Sequence, residues 1–320
     1  MQREVRVSLH KRSAGGIGFL VALLIMLAAA LVIWLQRQAI YDWSRLRGYA
    51  PSDQIAQLAF DTTMTNPARR LFYVYHPELN ERDAFNHNCS GFGEQTIVLG
   101  CYVSNQGIYL YDVEDARLEG VEQVTAAHEM LHAAYDRLTE KEKARIDTLT
   151  EAALKTVTDK RIQDSIASYR KRDPGVVPNE LHSILGTEVR SLSPELEEYY
   201  RKHFTNRHAI VAFSEKYEST LTERQNKATA LELQITGLKE EIEQLETQLS
   251  AEQTRLQADR PGVNTQAEAV AFNARVASYN QDVRSLNSTI SRYNSLIEEY
   301  KEVALEAQEL YKALDSRPTL

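Results

Sequence analysis

The longest apolar run in the chain is also its most uniform. Residues 17–35 are almost wholly apolar, and no charged residue occurs between Arg12 and Arg37. At about 1.5 Å of rise per residue, a helix here matches a hydrocarbon core of roughly 30 Å. The pattern therefore predicts an N-terminal transmembrane helix over 15–36, with Trp34, Tyr41 and Trp43 at its far end as an aromatic belt. A polar juxtamembrane linker follows over 37–66. Next come short runs of β-rich composition. Leu71-Phe-Tyr-Val-Tyr75 reads as a strand ended by His76-Pro77. Residues 96–103 and 108–113 read as two more strands, joined by a hairpin turn over Ser104-Asn-Gln-Gly107. From Gly120 onward helix patterns dominate.

The last third changes period again. Leu231, Ile235, Leu238, Ile242, Leu245 and Leu249 alternate four and three apart, and Leu256 follows one heptad later. Arg260-Pro261-Gly262 breaks the run. A second run from Phe272 to Ala304 keeps the same spacing without a slip. Two runs of similar length about one break predict an antiparallel coiled-coil hairpin over 214–314, turning near 260–263. Each arm would be roughly 65 Å long. Pairing between two chains is the competing arrangement. Asn273, Asn280, Asn287 and Asn294 recur every heptad, either as a solvated flank or as a polar strip for a further helix or peptide.

Charge and composition narrow the class. With 37 basic and 45 acidic residues the net charge is −8, and no basic cluster lies outside the N-terminus, which argues against nucleic acid as a partner. A mean hydropathy of −0.43 excludes a multi-span membrane protein. Arg3, Arg6, Lys11 and Arg12 against Glu4 alone predict a cytoplasmic tail over 1–14 and a single-pass protein of the cell membrane, its bulk extracytoplasmic. A cleaved signal peptide, cut near Ala28-Ala-Ala30, is the alternative, but apolar sequence continues through Leu35. In an oxidising compartment the only two cysteines, Cys89 and Cys101, can pair as a disulfide; two free thiols are the other reading.

The chemistry gathers in His128-Glu129-Met-Leu-His132, an H-E-x-x-H run within a helical pattern from Val121. Residues four apart share a helix face, so both imidazoles can reach one Zn²⁺. Glu129, offset by about 100°, can serve a water at the open coordination position as catalytic base. Small residues Ala126, Ala127, Ala133 and Ala134 would let the helix pack closely. A third ligand is needed. Leu138 stands where the metzincin spacing has histidine, which leaves a carboxylate on a later helix, best offered by Asn179-Glu180-Leu-His-Ser183.

Here the sequence resembles the gluzincin class of zinc metallopeptidases, in which a glutamate on a second helix completes the site. The resemblance covers roughly residues 95–205. Glu180 matches that glutamate, and Asn179 and Ser183 match its neighbours. Ile184 stands where the thermolysin-like pattern has an aspartate that orients a zinc histidine. The resemblance implies an α+β zincin-like catalytic domain over 67–213, a small sheet plus active-site helices, with a sheet edge at 96–103 or 108–113 that pairs with extended substrate. Glu188, two turns after Glu180, is an alternative ligand or the missing orienting carboxylate, and His182 is a further alternative. Asp136, four residues after His132, either hydrogen-bonds a ligand imidazole or is a solvated helix end. Tyr169, His182, Tyr199 and Tyr200 are candidate oxyanion donors.

These features point to a membrane-anchored zinc endopeptidase acting on extracytoplasmic protein or peptide, with one catalytic Zn²⁺ and a coiled coil available to a protein partner. The alternative is a non-catalytic envelope scaffold with structural zinc and a partner-binding coiled coil. A third reading keeps the zinc chemistry but hydrolyses a non-peptide amide.

Overall fold

The computed structural model of the protein describes residues 14–89 and 98–317. Residues 96 and 97 of the expected strand lie outside it. The N-terminal apolar run forms α1 (Ala14–Leu35), and α2 (Arg37–Leu46) follows after a bend of 61° at Gln36. Among the described residues no single helix is long and apolar enough to cross a membrane; Phe19–Leu35 and Arg37–Leu46 meet that test only together, as a bent pair. This corrects the single transmembrane helix expected over 15–36.

α3 (Asp53–Asp61) and α4 (Asn66–Val74) come next, each N-capped by a side chain, Ser52 and Thr65 respectively. α4 replaces the strand expected over 71–75. The run is β-rich in composition, but Ala68, Leu71, Phe72 and Tyr75 recur at helical spacing and are buried, while Pro67 and the Thr65 cap start a helix. The segment expected as a linker also joins the main core: Ile55, Leu58, Ala59 and Met64 are buried beside Phe72 and Val74.

The sheet is small. β1 (Glu78–Asn80) leads to α5 (Arg82–Asn88), then β2 (Gly100–Val103) and β3 (Gly107–Tyr111). β3 is central, parallel to β1 and antiparallel to β2 with Cys101 opposite Tyr109. Asn105, with φ of 61°, makes the β2–β3 turn. Cys89 after α5 is disulfide-bonded to Cys101 in β2, in a satellite core with Phe85 and Tyr111.

The remaining elements are helical: α6 (Val121–Asp136), α7 (Glu140–Leu154), α8 (Lys160–Arg172), α9 (Val177–Glu188), α10 (Pro194–Tyr200), α11 (Arg207–Asp259) and α12 (Gln266–Leu314). The described residues thus form twelve α-helices and one sheet of three short strands. The expected α+β zincin-like fold class is overturned. Apart from the β2–β3 hairpin and the three-residue β1, helices build the core, because the segments around the sheet carry apolar residues at helical spacing.

α6 is the axis of this core. Ala126, Ala127, Met130, Leu131, Ala133 and Ala134 are all buried, so neighbours meet it on nearly every side. α9 lies closest: a Cβ on Gly186 would come within 2.5 Å of Leu131 Cδ1 and 2.8 Å of Tyr200 Cε1. The absent side chain sets the approach of the two helices. α11 and α12 pack along each other in opposite directions, with Arg224 pairing Glu306 near the base and Arg275 pairing Glu252 near the tip. The far end of α12 returns to the body, where Leu310 and Leu314 cluster with Leu118 and Val121. The hairpin therefore closes on the N-terminus of α6.

Candidate metal centre

α6 presents His128 and His132 on one face, and α9 brings Glu180 to it. His128 Nε2 lies 3.6 Å from Glu180 Oε2, and His132 Nε2 lies 3.6 Å from Glu180 Oε1. One ligand atom from each of the three residues falls within 4.8 Å of the others, so this cluster could hold a metal ion. The side chains of His128 and Glu180 are each 17 % exposed and that of His132 is 11 % exposed, so the cluster is only partly shielded from solvent.

The residues around the cluster suit a metal. His132 Nδ1 lies 3.0 Å from Asn179 Oδ1 and 3.3 Å from Ser183 Oγ. An amide oxygen only accepts, so Nδ1 carries the proton and Nε2 turns its lone pair toward His128 and Glu180. Asn179 and Ser183, which the sequence marked only as neighbours of Glu180, are thus the groups that orient the imidazole. Burial pushes the Glu180 carboxyl up, but its contacts with the His128 and His132 rings and its hydrogen bond with Tyr169 outweigh that and hold the carboxyl below its usual range.

Glu129 sits beside the cluster and is only 5 % exposed. Burial pushes its carboxyl up to about 7, Glu180 adds to the rise, and His132 and the Tyr102 backbone amide oppose it. A carboxyl in that range has proton affinity suited to a general base near neutrality. Its position depends on β2. A Cβ on Gly100 would lie 2.8 Å from Glu129 Oε1 and 2.5 Å from Thr125 Cγ2. Gly100 and the Tyr102 amide border Glu129 but carry no side-chain chemistry that marks them in the sequence; the signal was a glycine inside a strand pattern, which often marks close approach.

The other candidates separate. Tyr169 on α8 reaches the cluster and hydrogen-bonds Glu180, and burial followed by the two glutamates raises its phenol well above the ordinary range. His182 faces away from Glu180: it is fully buried, with Nε2 2.9 Å from Tyr199 Oη, and its carbonyl accepts from Tyr200 Oη at 2.6 Å. Burial first, then His203 and the α6 histidines, depresses its pKa well below the ordinary value. Tyr199 and Tyr200 are accordingly packing partners of His182. Glu188 pairs with Arg161 at 2.7 Å, and Arg161 also holds Glu218 of α11 at 3.2 Å. That ion cluster ties α8, α9 and α11 together behind the site. Asp136 is exposed at the end of α6, with no hydrogen bond to a ligand histidine among the described residues.

No protein-family model, no curated protein and no solved structure matches this chain.

Proposed function

We propose that the protein is a membrane-anchored, zinc-dependent endopeptidase whose substrates are extracytoplasmic proteins or peptides. The observation that carries this reading is the open His128, His132 and Glu180 cluster with a buried carboxylate, Glu129, alongside it. A purely structural zinc site is closed by four ligands and has no use for such a carboxylate. Two neutral imidazoles and one carboxylate suit Zn²⁺ better than a hard cation, which prefers an all-oxygen set.

His128, His132 and Glu180 would hold the zinc, which when bound supplies Lewis-acid polarisation of a peptide carbonyl and of water. Glu129 takes the proton of the attacking water and returns it to the leaving amine. Asn179 and Ser183 keep His132 in the tautomer that leaves Nε2 free. Tyr169 is placed to donate to an oxyanion once its bond to Glu180 is exchanged. β2, an edge strand whose Gly100 and Tyr102 border Glu129, offers backbone groups to an extended substrate. The apolar surface of α1, from Phe19 to Leu35, supports anchoring in a bilayer through the α1–α2 pair. The Cys89–Cys101 disulfide supports an extracytoplasmic body.

The test is hydrolysis of unfolded protein substrates by the full chain in lipid nanodiscs, loaded with zinc. Wild type should cut, and Glu129→Gln should retain stoichiometric zinc while losing roughly 10²–10⁴-fold in rate. Zinc bound by both forms with no cleavage by either would remove the peptidase reading. It would favour a scaffold in which the half-buried seam of α12 (Phe272, Val283 and Tyr293 among it) takes a protein partner.

A further inference from the structure

α2 has two faces of different kinds. Tyr41, Asp42, Arg45 and Leu46 turn inward, where Tyr41 and Leu46 pack against the main core. On the opposite side Arg37, Ile40, Trp43 and Arg47 recur three, three and four residues apart and so form one stripe. Ile40 is 47 % and Trp43 59 % exposed. The two arginines bracket them, with Arg47 stacked over the Trp43 ring at 5.4 Å and Arg37 over Trp34 at 5.0 Å. A short apolar centre carrying tryptophan and flanked by arginines is the composition of a helix at a lipid headgroup boundary, where the ring lies among the glycerols and the cations reach the phosphates.

The covering surface is indicated by continuity. The stripe begins next to Trp34 and Leu35, the end of a helix with large apolar side chains exposed from Phe19 to Leu35. The bend of 61° at Gln36 takes the chain most of the way from a bilayer normal to its plane. We infer that α2 lies in the phospholipid interface, stripe down, and fixes the body at a set height and orientation above the bilayer. This rests on the reading of α1 as embedded in lipid.

The fixing is rigid because the inner face of α2 is clamped at several points. Arg137, which caps the C-terminus of α6, makes a two-pronged pair with Asp42 at 2.8 and 2.9 Å. Arg45 donates to the carbonyls of Val74 at 3.1 Å and of Gln106, in the β2–β3 turn, at 2.7 Å. His76 Nε2 meets the Arg45 carbonyl at 2.6 Å, and its ring stacks on Tyr49 at 4.4 Å. His132 lies on α6 about 7.5 Å of helix before Arg137. The metal cluster is thereby held close above the interface, and the substrates that reach it best are segments of protein near the membrane surface.

The chain has two tryptophans, so each can be read alone. Full-length Trp34→Phe protein in phosphatidylcholine vesicles leaves Trp43 as the sole reporter, and Trp43→Phe leaves Trp34. Lipids carrying a nitroxide near the glycerol end of the acyl chain should quench Trp43 more than lipids labelled near the methyl end, and aqueous iodide should quench it weakly. An unshifted emission with free access to iodide, while Trp34 is quenched by lipid, would overturn the interfacial role of α2 and leave the anchor standing. A shielded Trp43 that no labelled lipid quenches would overturn it in favour of protein contact. Failure of either variant to float with vesicles would remove the anchor and the inference together.

Discussion

The helix that carries the candidate metal ligands His128 and His132 and the hairpin that closes on it are built on opposite plans. α6 is enclosed by α3, α4, α9, α11 and two strands, and its small residues let each of them approach. Its stability and the site geometry come from contacts distant in sequence. The α11–α12 hairpin meets mainly itself. Along α11, Leu231, Leu238, Leu249 and Leu256 are buried, but the facing residues of α12, such as Val276, Val283 and Ile290, are only half-buried. A two-helix seam covers each core residue from one side, so each residue there contributes less. Precision sits in the body, and reach sits in the hairpin.

The widest expected contrast comes from matched truncations. Leu131→Ala, at a site with no exposure beside Gly186, should cost about 4 kcal/mol, whereas Val283→Ala on the half-exposed seam should cost about 1 kcal/mol. Denaturant midpoints of the two variants measure this, and equal losses would erase the distinction between the regions.

Acid should divide the regions next. His203 is held neutral by burial, with its pKa lowered to about 4, and Lys202 adds to the shift. The unfolded chain protonates this group near 6.5, so below that pH the unfolded state binds more protons and stability falls as pH drops toward 4. The loss approaches about 3 kcal/mol from this group. The one histidine of the hairpin, His208 at its base, is exposed, so the hairpin has no such buried group. Hydrogen exchange at pH 7 and 4.5 should show protection falling in the body around α10 while the hairpin tip is unchanged. A uniform change along the chain would count against it.

Gly100→Ala tests the tolerance of the site without touching a ligand. The added methyl meets Thr125 and Glu129 below 3 Å, so Glu129 or β2 must shift. A displacement of that order should lower the rate of the proposed hydrolysis roughly ten- to a hundredfold, with zinc affinity at the three candidate ligands retained. Unchanged kinetics would mean the contact relaxes freely. At the small end, Asn280→Ala on the exposed flank of α12 should raise thermal stability by about half a kcal/mol, because Asn is a poor helix former and the position is open. A loss would point to a hidden partner for the asparagine strip.

What could be read in advance divides along the same line. The heptads of α11 and α12 and the face shared by His128 and His132 follow from the helical period, which needs no knowledge of neighbours. The β2–β3 turn was legible from its loop residues. Composition misled at 71–75, where aromatic and branched residues suggested a strand but the spacing of Ala68, Leu71 and Phe72 fits one face of α4. Glu188 looked like a candidate ligand until Arg161 claimed it, a pairing that depends on how α8 and α9 meet.

By itself, then, the sequence determined the long helices, the acidic character, the apolar N-terminal run and the residue types able to bind a metal, because each is set by local period and composition. Only the tertiary structure decided that helices outweigh the sheet, that the chain bends at Gln36 where the apolar run ends, and that Glu180 meets the two histidines with Asn179 and Ser183 behind His132. It also decided that Gly100 lets Glu129 stand where it does. Those outcomes depend on distances between segments far apart in the chain, which close packing around α6 settles and no local pattern encodes.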